Sequence, residues 1–76
     1  MLIQILGTGC AKCRELEALV KSVVHETGAA ATVEKVTDPK QIVSMGVFAT
    51  PAVVIDGTIK SVGGLPAKKD IAAWLA

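Results

Sequence analysis

The sequence predicts one α/β domain spanning residues 1–76, with element order β-α-β-α-β-β-α and a four-stranded mixed sheet covered by helices on both faces. Three observations carry that expectation. An apolar run at Leu2–Leu6 gives way, across Gly7-Thr8-Gly9, to helical spacing; Asp38-Pro39 and Gly46 bracket a short helical stretch; and Asp56-Gly57 separates two β-type runs.

Leu2–Leu6 is apolar except for Gln4, the composition of a central strand buried on both faces. From Cys10 onward, Cys13, Leu16, Val20 and Val24 fall on one helical stripe, widened by Leu19 and Val23, while Arg14, Glu15, Glu17, Lys21 and Ser22 fall elsewhere. Gly28 ends that helix. Ala31–Val36 reads as a second strand whose Glu34 and Lys35 break the alternation and suggest an edge. The next helix has Asp38 as cap, Pro39 at its first position and Gly46 as terminator.

Ala52–Ile55 and Thr58–Val62 form a hairpin, because Asp56-Gly57 suits a two-residue turn in which both residues take positive φ. Gly63-Gly64 is read as relieving crowding before a last helix that begins at Pro66 and shares Ile71, Trp74 and Leu75 on one face. Trp74 is expected to be a packing residue; Phe48 likewise reads as structural, with its closeness in sequence to Thr50 permitting a role in shaping a groove there. The first three elements make a parallel βαβ unit, and the hairpin extends its sheet.

Composition narrows the function. A chain of 76 residues buries only about 60% of the surface it exposes unfolded, so it holds one core. Hydrophobic residues at 51% against 20% charged describe an aliphatic globular protein, and a net charge of +1 with interspersed signs points away from nucleic acid and anionic membranes. No apolar run approaches the roughly 18 residues of a membrane span, and the first residues lack a signal-peptide pattern. The expected location is the cytoplasm and the expected state a monomer.

The two cysteines stand at C-x-x-C spacing, Cys10-Ala11-Lys12-Cys13. A disulfide closing so small a loop contributes only about 2 kcal/mol as a brace and would tend to be reduced in the cytosol, so redox or metal chemistry is the better reading. Only a thiolate attacks a disulfide, and the positive end of a helix stabilises it. Cys10, ahead of the buried stripe, is therefore the candidate attacking thiol, with Lys12 and Arg14 adding nearby positive charge that lowers its pKa. Cys13, on the stripe, is the candidate resolving thiol that attacks the mixed disulfide.

The competing reading is a copper or zinc carrier using the same two cysteines. His25, the only histidine, lies about 18 Å along the same helix from Cys13 and cannot close a zinc site there; it reads as a solvated residue near the helix C-terminus. Small copper chaperones order their elements β-α-β-β-α-β, whereas Asp38-Pro39 begins a helix here and the chain ends in one. No metal and no cofactor are expected.

In Val47–Gly57, VFATPAVVIDG, Pro51 lacks the N–H of a central ladder and stands at a strand's entrance. With CAKC on the first βα turn, Thr50-Pro51 opening a hairpin and GG before the last helix, the chain resembles the thioredoxin superfamily over nearly its full length. It is most similar to the small glutaredoxin-like thioredoxins of archaea and bacteria, of the redox-active disulfide protein type. That resemblance implies a minimal thioredoxin fold and a thiol–disulfide oxidoreductase whose Cys10 and Cys13 form the active-site disulfide. It also implies a cis Thr50-Pro51 peptide beside that disulfide, where Thr50 and Pro51 bind an extended substrate through main-chain hydrogen bonds. The implied partners are disulfide-containing proteins and a reductase or dithiol electron donor. Gly9 stands where thioredoxins usually carry Trp, Ala11-Lys12 replaces their Gly-Pro, and no aromatic residue lies inside the motif as it often does in glutaredoxins.

Overall fold

The computed structural model describes residues 1–9 and 11–75; Cys10 and Ala76 lie outside the described residues. The elements are β1 (Leu2–Leu6), α1 (Ala11–Thr27), β2 (Thr32–Val36), α2 (Pro39–Ser44), β3 (Ala52–Ile55), β4 (Thr58–Val62) and α3 (Lys68–Leu75). One four-stranded sheet has the order β2-β1-β3-β4, with β1 parallel to β2 and antiparallel to β3, and β3 antiparallel to β4. The fold is a minimal thioredoxin fold, as the resemblance implied.

Side chains alternate across the strands and divide the core into two layers. On one face Ile3, Ile5, Val53 and Ile55 meet Leu16, Val20 and Val23 of α1 and Ile71 and Leu75 of α3, with Trp74 packed at the margin. On the other, Leu6, Val36, Ala52 and Val54 meet Ile42 of α2 and Val47. Burial on both faces explains why β1 and β3 read as continuous apolar runs. Strand β2 is an edge, and its Glu34 accepts a 3.1 Å hydrogen bond from Gln4 across the register.

Local chemistry sets the connections. Asp38 caps α2 by accepting from the Lys40 amide at 3.0 Å, Pro39 opens the helix, and Gly46 leaves it with φ of 84°. Asp56 and Gly57 both take positive φ, 48° and 82°, as a primed hairpin turn requires. The Asp56 carboxylate also accepts from the Leu2 amide at 2.8 Å, which ties the turn to the start of β1.

The structure corrects two boundaries and adds one irregularity. Helix α3 begins at Lys68 rather than Pro66, because the Ala67 carbonyl accepts from the Asp70 and Ile71 amides at 2.9 and 3.2 Å and so makes Ala67 the flanking residue. Strand β2 begins at Thr32, whose amide bonds the Met1 carbonyl, one residue later than expected. The hairpin register shifts between Val53 and Val54, an irregularity that the alternation of its side chains does not reveal.

Candidate active site

Three segments converge at the carboxyl end of β1: the turn from β1 to α1, the connection from α2 to β3, and the Gly63-Gly64 segment after β4. The junction can be located at Gly7, whose amide donates to the Val36 carbonyl at 3.0 Å. A Cβ placed on Gly7 would collide with Sγ of Cys13, lie 3.1 Å from the Cys13 Cβ and lie 3.9 Å from the Cβ of Thr50. Cys13 and Thr50, 37 positions apart in sequence, thus flank the same glycine. Only a residue without a side chain allows that approach.

Cys13 is buried on the first turn of α1, on the stripe that carries Leu16, Val20 and Val23. It lines a cavity of about 20 Å³, room for roughly one water molecule, together with Gly7, Arg14, Glu17 and Lys35. Glu17, one turn beyond Cys13, pairs with Lys35 of β2 at 3.7 Å and with Lys21 at 3.5 Å. The sequence placed Glu17 off the buried stripe and gave it no part in the site. The sequence offered only its i+4 spacing from Cys13 as a signal.

Lys12 and Arg14 are both exposed, and Arg14 also borders the cavity beside Cys13. The first turn of α1 carries no acidic side chain, so nothing on that turn offsets the positive end of the helix dipole or these two cations. The attacking-thiol position assigned to Cys10 lies outside the described residues. Among the described residues, no group of three or more His, Cys, Asp or Glu side chains is placed to hold a metal ion. His25 is exposed in the last turn of α1, far from Cys13 along the helix.

On the other side of Gly7, the Thr50–Pro51 peptide bond is cis. Thr50 is exposed while Pro51 is buried at the entrance to β3. The Pro51 carbonyl accepts from the Gly63 amide at 2.9 Å, and a Cβ on Gly63 would come within 3.2 Å of the Ala49 Cβ. Gly63 therefore accommodates the α2–β3 connection and not, as the sequence suggested, the last helix. Phe48 is a second correction: expected as a structural residue, it is 83% exposed, because the buried position in this connection is taken by Val47.

No helix among the described residues is long and apolar enough to cross a membrane. Comparison with known proteins agrees with the geometry. A family model described as a thioredoxin domain matches residues 1–76. The thioredoxin of Methanothermobacter thermautotrophicus is 41% identical over 71 residues, which cover 93% of this chain and 92% of that protein. The thioredoxin of Methanocaldococcus jannaschii is likewise 41% identical over 71 residues, covering 93% of this chain and 81% of its own.

Proposed function

This chain belongs to the thioredoxin family, a family of thiol–disulfide oxidoreductases, and from that premise we propose that it reduces protein disulfides through a Cys10–Cys13 dithiol. The observation that carries the reading is the packing of Cys13 against Gly7 beside Thr50, with Pro51 next in the chain. A buried sulfur held at that junction supports a resolving role, since a substrate engaged by the exposed Thr50 is then next to it.

The cycle balances without a cofactor. The Cys10 thiolate attacks the substrate disulfide, forming a mixed disulfide and releasing one substrate sulfur as a thiol. The Cys13 thiolate then attacks the Cys10 sulfur, breaking the mixed disulfide, closing the Cys10–Cys13 disulfide and releasing the second substrate thiol. The substrate gains two electrons and two protons, both from the protein's thiols. A reductase or dithiol donor returns them. The cations at Lys12 and Arg14 and the uncompensated helix end favour the thiolate of Cys10, and exposed main chain at Thr50 pairs with the substrate segment. The setting is the cytoplasm, with the chain acting as a monomer.

Single-cysteine variants test this assignment. Cys10→Ser is expected to abolish disulfide reduction, and Cys13→Ser to accumulate mixed disulfides that a thiol reductant releases. If both variants turn over like the wild type, the dithiol mechanism is wrong. Metal analysis of reduced protein separates the carrier alternative, for which stoichiometric copper or zinc without reductase activity is required.

A further inference from the structure

The cavity beside Cys13 holds more chemistry than disulfide exchange uses. Cys13 is only 6% exposed, so a bulky disulfide cannot reach it from outside, and in the exchange cycle its partner is the sulfur of Cys10. The cavity it lines is about 20 Å³, slightly more than the roughly 10–15 Å³ that one water needs. The external molecules that fit there are water and reagents hardly larger.

The walls of this space are charged. Arg14 borders it from the residue after Cys13, and no ion pair among the described residues engages its guanidinium. Lys35 reaches it from β2, and shares the Glu17 carboxylate with Lys21 at 3.7 and 3.5 Å. One carboxylate thus stands among three cations beside a buried sulfur. The remaining wall, Ile5, Gly7 and Gly9, offers no ionisable side chain. A nucleophile, cationic donors and a single acceptor around so small a volume suit attack on a short, neutral, polar electrophile whose departing atom takes up negative charge. Water does not oxidise a thiol; hydrogen peroxide is the thiol oxidant nearest to it in size and polarity.

We propose that this cavity is a second reaction site, at which Cys13 reduces hydrogen peroxide while larger hydroperoxides are shut out. The Cys13 sulfur attacks one peroxide oxygen, an S–O bond forms, the O–O bond breaks, and the departing hydroxide takes the thiol proton and leaves as water. Cys13 is then a sulfenic acid. The Cys10 thiol attacks the sulfenic sulfur, closing the Cys10–Cys13 disulfide and releasing a second water. The peroxide gains the two electrons that the dithiol loses, and the same reductase or dithiol donor restores the pair. Arg14 and Lys35 stabilise the charge that builds on the departing oxygen, and Glu17 accepts a hydrogen bond from the oxidant's O–H. The inference rests on the Cys10–Cys13 dithiol of the reading above, and not on substrate binding at Thr50.

The test isolates the buried thiol. Reduced Cys10→Ser protein is treated with hydrogen peroxide or with cumene hydroperoxide in the presence of dimedone, and sulfenic acid at Cys13 is read as the mass of the dimedone adduct on its peptide. Hydrogen peroxide is expected to oxidise Cys13 about tenfold faster than it oxidises N-acetylcysteine at the same pH, and Cys13 to discriminate against cumene hydroperoxide about tenfold more than that free thiol does. Arg14→Leu in the same background should lower the hydrogen peroxide rate severalfold, and Arg14→Lys should keep most of it. Oxidation no faster than that of N-acetylcysteine, or no added discrimination between the two peroxides, overturns the proposal. A wild type that reduces a cystine peptide with dithiothreitol as reductant, while Cys13 fails either comparison, loses only this second site. A wild type that reduces no peptide disulfide loses the oxidoreductase reading, and the closing step of this proposal with it.

Discussion

On one face of the sheet the 17-residue α1 and the eight-residue α3 bury Ile3, Ile5, Val53 and Ile55; on the other the six-residue α2 leaves Ile59 and Val62 of β4 open to solvent. The first face holds the larger of the two core clusters, and α1, whose buried stripe it takes up, carries Cys13 in its first turn. The second holds the smaller cluster and the connection that carries Phe48, Thr50 and Pro51. In a domain this small, one face supplies the stability that permits the other to keep apolar surface uncovered beside the site.

The sharpest way to break that division is to remove a large side chain from each layer. Leu16 is fully buried between α1 and the sheet, and Leu16→Ala should cost about 3 kcal/mol in denaturant unfolding. That is a large part of the 4–11 kcal/mol, roughly, that a domain of this size commands. Ile42→Ala in the thin layer should cost less, about 2 kcal/mol, since a two-turn helix can settle into part of the space left behind. Equal losses would mean that the two layers share stability evenly.

Gly7→Ala probes the point where the two regions meet. Its new methyl would occupy space held by Sγ of Cys13, and with Thr50 on the far side neither neighbour can yield without moving part of the site. Overpacking of this kind should cost about 2 kcal/mol and, more tellingly, lower the rate of disulfide reduction in the protein that remains folded. A folded Gly7→Ala protein with wild-type turnover would show that the Cys13–Thr50 juxtaposition is not needed.

Much of this was written in local chemistry. The apolar runs of β1 and β3, the Asp38-Pro39 cap and the Asp56-Gly57 turn each act through neighbouring residues, and the structure places those elements as the sequence suggested. Cys13 was legible as buried because it falls on the helical stripe. What was not legible depends on contacts between distant segments. Phe48 looks like a core residue in isolation, and only the competing burial of Val47 and the shortness of α2 leave it outside. Gly7 is one glycine in a turn until α1 and the Thr50 loop close around it, and Glu17 joins the Cys13 cavity only because β2 brings Lys35 alongside.

The smallest expected effect concerns the pin between the two helices of the thick layer. The Lys68 Nζ of α3 donates to Oε1 of Glu26, near the end of α1, at 2.7 Å, and that hydrogen bond holds the Glu26 carboxyl below its ordinary value of 4.5. A carboxyl with a lowered folded-state pKa adds stability above the unfolded value, and that contribution is lost as pH falls through the folded one. The unfolding midpoints of wild type and Lys68→Ala should therefore differ slightly at pH 7 and converge below about pH 4.5. Both side chains are more than half exposed, so salt screens the pair, and Lys68 in the first turn of α3 opposes that helix's dipole, so its removal returns part of what the ion pair contributes. A difference that persists unchanged at pH 3 would mean that Lys68 acts through its aliphatic stem rather than its charge, placing the pin among the packing contacts of that face.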